Sequence, residues 1–399
     1  MWWRHGQRAT PSRYDRRLTG AAAMQRAAAP VVAMVLPPRE DFAPGRTGAI
    51  SLLVHAAAAA PSRFAPVVIG AAQAAPFDDV TFHPVRLSWL PLGHNRRYGG
   101  GVAALLRAPR PALIEVHNRL DLAVFLALRF PSVPVWAFLN NDPQGMRGSL
   151  SPAGRARALA RLARIGTSSA WLRGRLLEGV PPPARPPVVL PNWLDLAQVP
   201  ASPAERERVI LFAGRIVADK GADTFVRACA RALPDLPGWR AEMIGGDRFR
   251  PDSPETGFIR ALRPEAAAAG IAMPGYRPHA DVLAAMARAA IVVVPSRWPE
   301  PFGLTALEAM AAGAALLVSP RGGLGEFTAG AAMTIDPDDA EALAAALRAV
   351  AGDPARRAAL AGAGLARARD YDVGKGVARL DALRADILAA WPAGSADPI

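Results

Sequence analysis

The sequence predicts an α/β protein built from two doubly wound parallel sheets that face each other across a cleft. The chain has 399 residues, 51% of them apolar, enough for two or three domains with real cores. Short β-branched runs alternate with alanine-rich stretches of helical period, the pattern of parallel strands covered by helices on both faces. The alternation occurs twice, in two series separated by the linker-like stretch 191–208, PNWLDLAQVPASPAERER. In open sheets of this kind ligands sit at the carboxyl ends of the strands, which places the site in the cleft.

Taken in order, residues 1–29 read as a basic disordered tail, or as sequence upstream of a true start at Met24. The first 28 hold six arginines and lack the apolar h-region of a secretory signal. Residues 30–193 form the first domain, with strand-like runs at 31–36, 67–70, 81–85, 113–117, 133–139 and 188–190. Helix-like stretches lie near 48–60, 119–129, 151–164 and 170–178. Residues 194–207 are the linker and candidate hinge. Residues 208–375 form the second domain, with strands at 209–213, 240–244, 291–294 and 316–319. Its helices are expected near 221–233, 257–269, 279–289, 303–312 and 338–350, and a last one near 376–391 within the segment 376–399.

Composition removes several functions. The single cysteine, Cys229, excludes an internal disulfide framework and a cysteine-built zinc site, and its apolar neighbours mark it as a buried structural thiol. The histidines are scattered singly, so a histidine-built metal site is not expected. No apolar run reaches the length of a bilayer span, which predicts a soluble or peripheral protein. The net charge of +13 is uneven: residues 1–200 hold 24 basic and 10 acidic side chains, residues 201–399 hold 23 and 24. Only Lys220 and Lys375 are lysines among the 47 basic residues, so each draws attention.

Two stretches carry the chemistry. In Leu211-Phe212-Ala213-Gly214-Arg215 a strand ends on a glycine and a cation, followed by Lys220-Gly221 and an amphipathic helix. Gly214 lets backbone approach a ligand, Arg215 and Lys220 neutralise phosphate oxygens, and the helix start adds its dipole, a layout suited to a diphosphate. Solvated loop charges are the bland alternative. The spacing is neither a Walker A loop nor G-x-G-x-x-G. The second stretch, 295–310, follows the strand at 291–294 and places Glu300 in the strand-end loop and Glu308 two turns into a helix. The two carboxylates would stand roughly 10 Å or more apart, too wide to share one metal ion and suited to gripping different hydroxyls of an extended ligand. The amides of Phe302, Gly303 and Leu304 would point at that ligand as helix N-terminal donors.

The set G-R-x4-K-G, E-P-F-G-L-x3-E-A-M-A-x-G and R-G-G-L-G-E (321–326) resembles the retaining glycosyltransferases of family 4, which have two Rossmann-like domains in the GT-B arrangement. The resemblance covers the chain from Pro30 onward and is strongest over 208–330. It implies that Arg215 and Lys220 hold the diphosphate of a nucleotide-sugar, Glu300 bonds donor-sugar hydroxyls, and Glu308 takes the ribose. The turn Gly275 to Pro278, with Tyr276, would lie near the base. It implies no cofactor and no catalytic metal, a glycine loop at Gly48 near the phosphates, and a last helix packed back on the first domain. Family members often carry a histidine at the strand end where this chain has Asn140. Either His117, at the preceding strand end, takes over that contact beside the reacting centre, or Asn140 only hydrogen-bonds sugar and acceptor.

The resulting expectation is a retaining hexosyltransferase that uses a UDP- or GDP-sugar and a glycan or lipid-linked acceptor in bacterial surface glycan or glycolipid synthesis, lipopolysaccharide included. The competing readings are a sugar-nucleotide epimerase on a similar scaffold and a non-enzymatic module binding an anionic surface or nucleic acid. Arg147, Arg155, Arg157, Arg161, Arg164, Arg173 and Arg175 cluster in the basic half. They read either as a face for anionic lipid headgroups or as solvated helix surface. Nucleic acid is disfavoured, because aromatic residues are few and no binding motif is present. This reading places the protein in the cytoplasm, peripheral at the inner face of the membrane.

Overall fold

The structure is a computed structural model that describes residues 29–391 except 46, 88–90, 92, 109 and 248–254. The segment 1–28 and the last residues from 392 lie outside the described residues. Among the described residues the first sheet contains β1 (Val31–Val35), β2 (Ala65–Ala71), β3 (Phe82–Val85), β4 (Leu113–His117), β5 (Val135–Leu139), β6 (Arg164–Thr167) and β7 (Val188–Val189). Its strands are all parallel, in the order β3-β2-β1-β4-β5-β6-β7. The second contains β8 (Glu207–Ala213), β9 (Arg240–Ile244), β10 (Ile271–Gly275), β11 (Ala289–Val294), β12 (Ala315–Val318) and β13 (Met333–Thr334). They too are parallel, in the order β10-β9-β8-β11-β12-β13. These are two Rossmann-like α/β domains. In each, the order reverses beside the first strand, between β1 and β4 and between β8 and β11. That reversal opens a crevice at the carboxyl ends of the strands.

Helices cover both faces of the central strands, so every residue of β4 and β5 is buried, the polar Glu115 and His117 of β4 included. Helix starts carry local caps. Ser151 Oγ accepts from Gly154 N ahead of Pro152, Ser169 Oγ accepts from Leu172 N, and Asp353 accepts from Arg356 N ahead of Pro354. Cys229 is buried in the core of the second domain, and burial pushes its thiol pKa up, as suits a structural residue.

Several elements escape the sequence reading. β6 reads R-I-G-T, one aliphatic residue in four, and runs on from a helix-like stretch. Edge strand β10 contains Pro274, which a central strand would not tolerate. The helix His94–Leu105 holds three glycines in a row, and its core contact rests largely on Tyr98 and Val102. The helix Pro354–Ala368 buries only Gly364 and Ala368, so no apolar stripe marks it.

The chain passes between the domains twice, and the two passages lie side by side. Leu194 N donates to Tyr371 O and Val373 N to Leu194 O, both at 2.9 Å. Trp193 stacks on Phe138 and donates to Leu53 O at 3.1 Å. The helix Val373–Ala390 then returns to the first domain and packs against the helix Ala49–Ala59. Gly376 makes this approach possible, since a Cβ there would lie 2.7 Å from the Trp193 side chain. Farther along, Arg384 is 0% exposed. Its guanidinium reaches Glu115 Oε2 on β4 at 3.0 Å and Asp381 Oδ1 at 3.1 Å. Asp381 in turn accepts from Ser62 Oγ and Arg63 N.

Candidate functional site

A cavity of about 340 Å3 lies between the domains at the sheet switch points. The first domain contributes Ala49 and Ile50 at a helix start, Asn140 after β5, and Asn192. The second contributes Gly214, Arg215, Lys220, Trp298, Glu300 and the turn Phe302 to Thr305.

Glycines explain why these loops converge. Gly214 has φ 146°, and a Cβ on Gly245, where β9 ends, would lie 1.8 Å from Gly214 O, so the two strand ends touch backbone to backbone. Gly221 has φ 68°, and a Cβ there would lie 1.9 Å from Pro295 O. The turn carrying Lys220 therefore tucks beneath the loop that follows β11. Arg297 N and Trp298 N both donate to Asp219 O, sewing the two loops together. As a result the Lys220 ammonium donates to Glu300 Oε1, which also accepts from Ser296 Oγ at 2.8 Å. The Glu300 backbone is held as well, its carbonyl accepting from Gly323 N at 2.6 Å.

An adjoining cavity of about 200 Å3 is lined by Gly48, Gly214, Arg215, Tyr276, His279 and Glu308, among others. Arg215 lines both cavities, whereas Glu300 belongs to the first and Glu308 to the second. Glu308 is 7% exposed and its Oε1 lies 2.7 Å from His279 Nε2. Burial lowers the His279 pKa, but the hydrogen bond and charge of Glu308 outweigh it, and the net shift is upward. Tyr276 Oη donates across the cleft to Gly45 O at 3.2 Å.

Residues 197–366 match the family model described as glycosyl transferases group 1. The second domain belongs to that family. The glycogen synthase of Mycobacterium tuberculosis is 31% identical over 276 residues, 65% of this chain and 64% of that protein, so the match spans just under two thirds of the relative. Among solved structures, the sucrose-phosphate synthase of Thermosynechococcus elongatus superposes with a TM-score of 0.73 at 19% identity, covering 90% of this chain and 99% of its own. Anabaena Alr3699/HepE, solved in complex with UDP, gives 0.71 at 17% identity, covering 90% and 100%. These likenesses show the two-domain GT-B fold for the nine-tenths of the chain that they cover.

In the glycosyl transferase domain, Gly214, Arg215, Lys220, Glu300, Phe302, Gly303, Leu304, Tyr276 and Glu308 all line the two joined cavities, and Gly48 and Asn140 line them from the first domain. His117 does not. Its ring is 1% exposed, with Nε2 held by Glu115 Oε1 at 2.9 Å and Nδ1 buried without a hydrogen-bond partner. Through Glu115 the ring is tied to the buried Arg384. The start of the helix at Gly48 also differs from a bare anion site, since Glu40 Oε1 accepts from Ser51 N at 3.4 Å. Burial raises the Glu40 carboxyl pKa despite that amide.

The arginine cluster divides. Arg155 is 2% exposed and donates to Ser149 O, Leu150 O, Leu176 O and Glu178 O, so it is a structural tie. Arg175 pairs with Asp142 and Glu178. Arg147, Arg157, Arg161 and Arg173 remain on the surface. Among the described residues no three His, Cys, Asp or Glu side chains are placed to hold a metal ion, and no helix is long and apolar enough to cross a membrane. Sequence reasoning missed Asn192, His279 and Ser296. Asn192 lay hidden in the linker-like stretch, and the other two have no signal apart from their partners Glu308 and Glu300.

Two outcomes follow from this geometry. His279 is expected to titrate above the ordinary histidine range of about 6.5 in an NMR titration, and Glu308→Gln to bring it down, since burial alone then acts. The pair's contribution to stability is complete below that ordinary value and fades as pH rises through the raised one. The second concerns Glu326, whose carboxylate caps a first-domain helix across the cleft, accepting from Ala170 N at 2.8 Å and Trp171 N at 2.5 Å. Glu326→Ala should remove a cap worth about 1 kcal/mol and enlarge the radius of gyration in small-angle scattering. An unchanged scattering profile would show that other contacts hold the domains together.

Proposed function

We propose that the protein is a metal-independent, retaining glycosyltransferase that moves a sugar from a UDP- or GDP-sugar to an acceptor hydroxyl. The observation that carries this reading is the convergence of Arg215, Lys220 and Glu300 with glycine-lined backbone in one interdomain cavity. Cations at the strand end suit a diphosphate, and a carboxylate beside them suits sugar hydroxyls. In the step itself the bond from the anomeric carbon to the diphosphate oxygen breaks and one to the acceptor oxygen forms on the same face. The acceptor's proton passes to the departing phosphate oxygen. Arg215, Lys220 and the amides at the start of the helix Leu304–Ala311 stabilise the charge that develops on the diphosphate. The Anabaena structure in complex with UDP and the family match support the donor class.

The acceptor is proposed to be a glycan or a lipid-linked, phosphate-bearing molecule of a bacterial surface polymer, met at an anionic membrane face by the basic first domain. Exposed Phe125, Leu128 and Leu150 lie on that domain along with Arg129, Arg147, Arg157 and Arg161. Incubation with a panel of UDP- and GDP-sugars tests the reaction: slow release of nucleotide and free sugar, accelerated by an acceptor, is expected. Interconversion of sugars without stoichiometric nucleotide release would indicate an epimerase instead. Co-sedimentation with vesicles that contain anionic lipid, but not with neutral ones, is the expected result for the membrane face.

A further inference from the structure

Arg297 stands between Ser296 and Trp298, which both line the interdomain cavity, yet its own guanidinium turns onto the start of the helix Ala222–Ala232. Every branch of the fork is used there. Nε donates to Asp338 Oδ1 at 2.8 Å, and Nη1 donates to Asp223 Oδ1 at 2.6 Å and to Ala218 O at 2.7 Å. Nη2 donates to Asp223 Oδ2 at 2.9 Å and to Thr224 Oγ1 at 2.5 Å. Both members of the Arg297–Asp223 pair are mostly shielded from solvent. Burial raises the Asp223 carboxyl pKa, but the hydrogen bonds and charge of Arg297 outweigh it, and the net shift is downward. A bidentate pair of this kind fixes geometry as well as charge.

What the fork holds is the turn that presents Lys220. Ala218 O accepts from the Arg297 side chain, and Asp219 O accepts from Arg297 N at 2.8 Å and Trp298 N at 2.9 Å. The two carbonyls just before Lys220 are therefore both bound from the loop that carries Glu300, the partner of the Lys220 ammonium. We propose that Arg297 is a positioning residue for sugar transfer, which fixes the Lys220 ammonium against Glu300 at the place where charge develops on the diphosphate. The main-chain bonds to Asp219 O alone leave the turn free to rock about a single acceptor. The guanidinium adds a second point at Ala218 O and a third at the helix start, and it is tied outward to Asp338. Such a clamp matters because misplacing a reacting group by about 1 Å costs on the order of 100-fold in rate. Lysine does not replace it, since one ammonium cannot span acceptors on separate segments in the way a planar fork does. The inference rests on the cleft being a nucleotide-sugar site in which Lys220 acts.

A double-mutant cycle separates positioning from general support. On the full chain, kcat and KM are measured for wild type, Arg297→Lys and Arg297→Ala, each with Lys220 intact and with Lys220→Ala. The donor is UDP-glucose, UDP-N-acetylglucosamine or GDP-mannose, whichever wild type turns over fastest, and thermal unfolding checks that each variant is folded. With Lys220 in place, both Arg297 variants are expected to lower kcat about 10- to 100-fold while KM changes far less. In the Lys220→Ala background the same substitutions should change kcat by less than about twofold, because the group they position is gone. Arg297→Lys keeps the charge and the aliphatic stem, so it carries the test if Arg297→Ala unfolds below the assay temperature. The proposal is overturned if the losses multiply in full across the two backgrounds, as mere support of the fold predicts. It is equally overturned if Arg297→Lys turns over within about twofold of wild type. A wild type that turns over none of these donors and binds neither UDP nor GDP in calorimetry overturns the reading of the cleft, and the clamp with it.

Discussion

Lys220→Ala is expected to lower kcat for sugar transfer by about 100- to 1,000-fold, the cost of losing one preorganised donor to a developing oxyanion. The side chain is one of two lysines in the chain, and the turn that carries it is pinned beneath the loop after β11. Its ammonium is matched by Glu300, which also accepts from Ser296. The substitution therefore leaves Glu300 with a neutral partner and weakens sugar placement along with charge stabilisation. Lys220→Arg should rescue little, because a planar fork does not reproduce a compact point charge in that turn. Single-turnover rates with saturating nucleotide-sugar measure this directly, and a rate within twofold of wild type would remove Lys220 from the reaction.

Arg384→Met should cost about 3–5 kcal/mol of unfolding free energy, measured by urea denaturation, because it leaves Glu115 as a buried charge without its main partner. Both side chains are 0% exposed. Burial pushes the Glu115 carboxyl pKa up, but the Arg384 charge and the His117 contact more than offset it, and the net shift is downward. The stabilisation tied to that shift is present above the ordinary carboxylate range and lost as pH falls through the lowered value, so wild type should lose stability on the acid side. Replacing both partners, Arg384→Met with Glu115→Leu, should recover much of the loss. A single variant within about 1 kcal/mol of wild type would show that the pair is solvated or replaced.

The sequence made the strand–helix alternation legible because the central strands are apolar on both faces, a pattern that survives without any contact information. Loops with a forced geometry were legible too: Gly214, Gly221 and Gly303 stand where the backbone takes positive φ. Contacts between distant segments were not. The Glu115 carboxylate that holds the His117 ring is itself held by Arg384, which lies 267 positions after His117 and on another element. Asn192 looked like linker because its burial comes from the domain packed over it. Asn140 was visible only as a departure from the family's histidine, and its unpaired amide emerges only once the cavity is formed.

The returning helix Val373–Ala390 has a consequence for the order in which the protein is made. The first sheet is complete once β7 has been synthesised, yet the partner of its most deeply buried carboxylate, Glu115, arrives after the whole second domain. During synthesis the second domain, contiguous in sequence from β8, can close first, while the first waits half-finished with an uncompensated charge in its centre. A ribosome-stalled chain ending before Val373 is thus one unit folded and one unit unlocked.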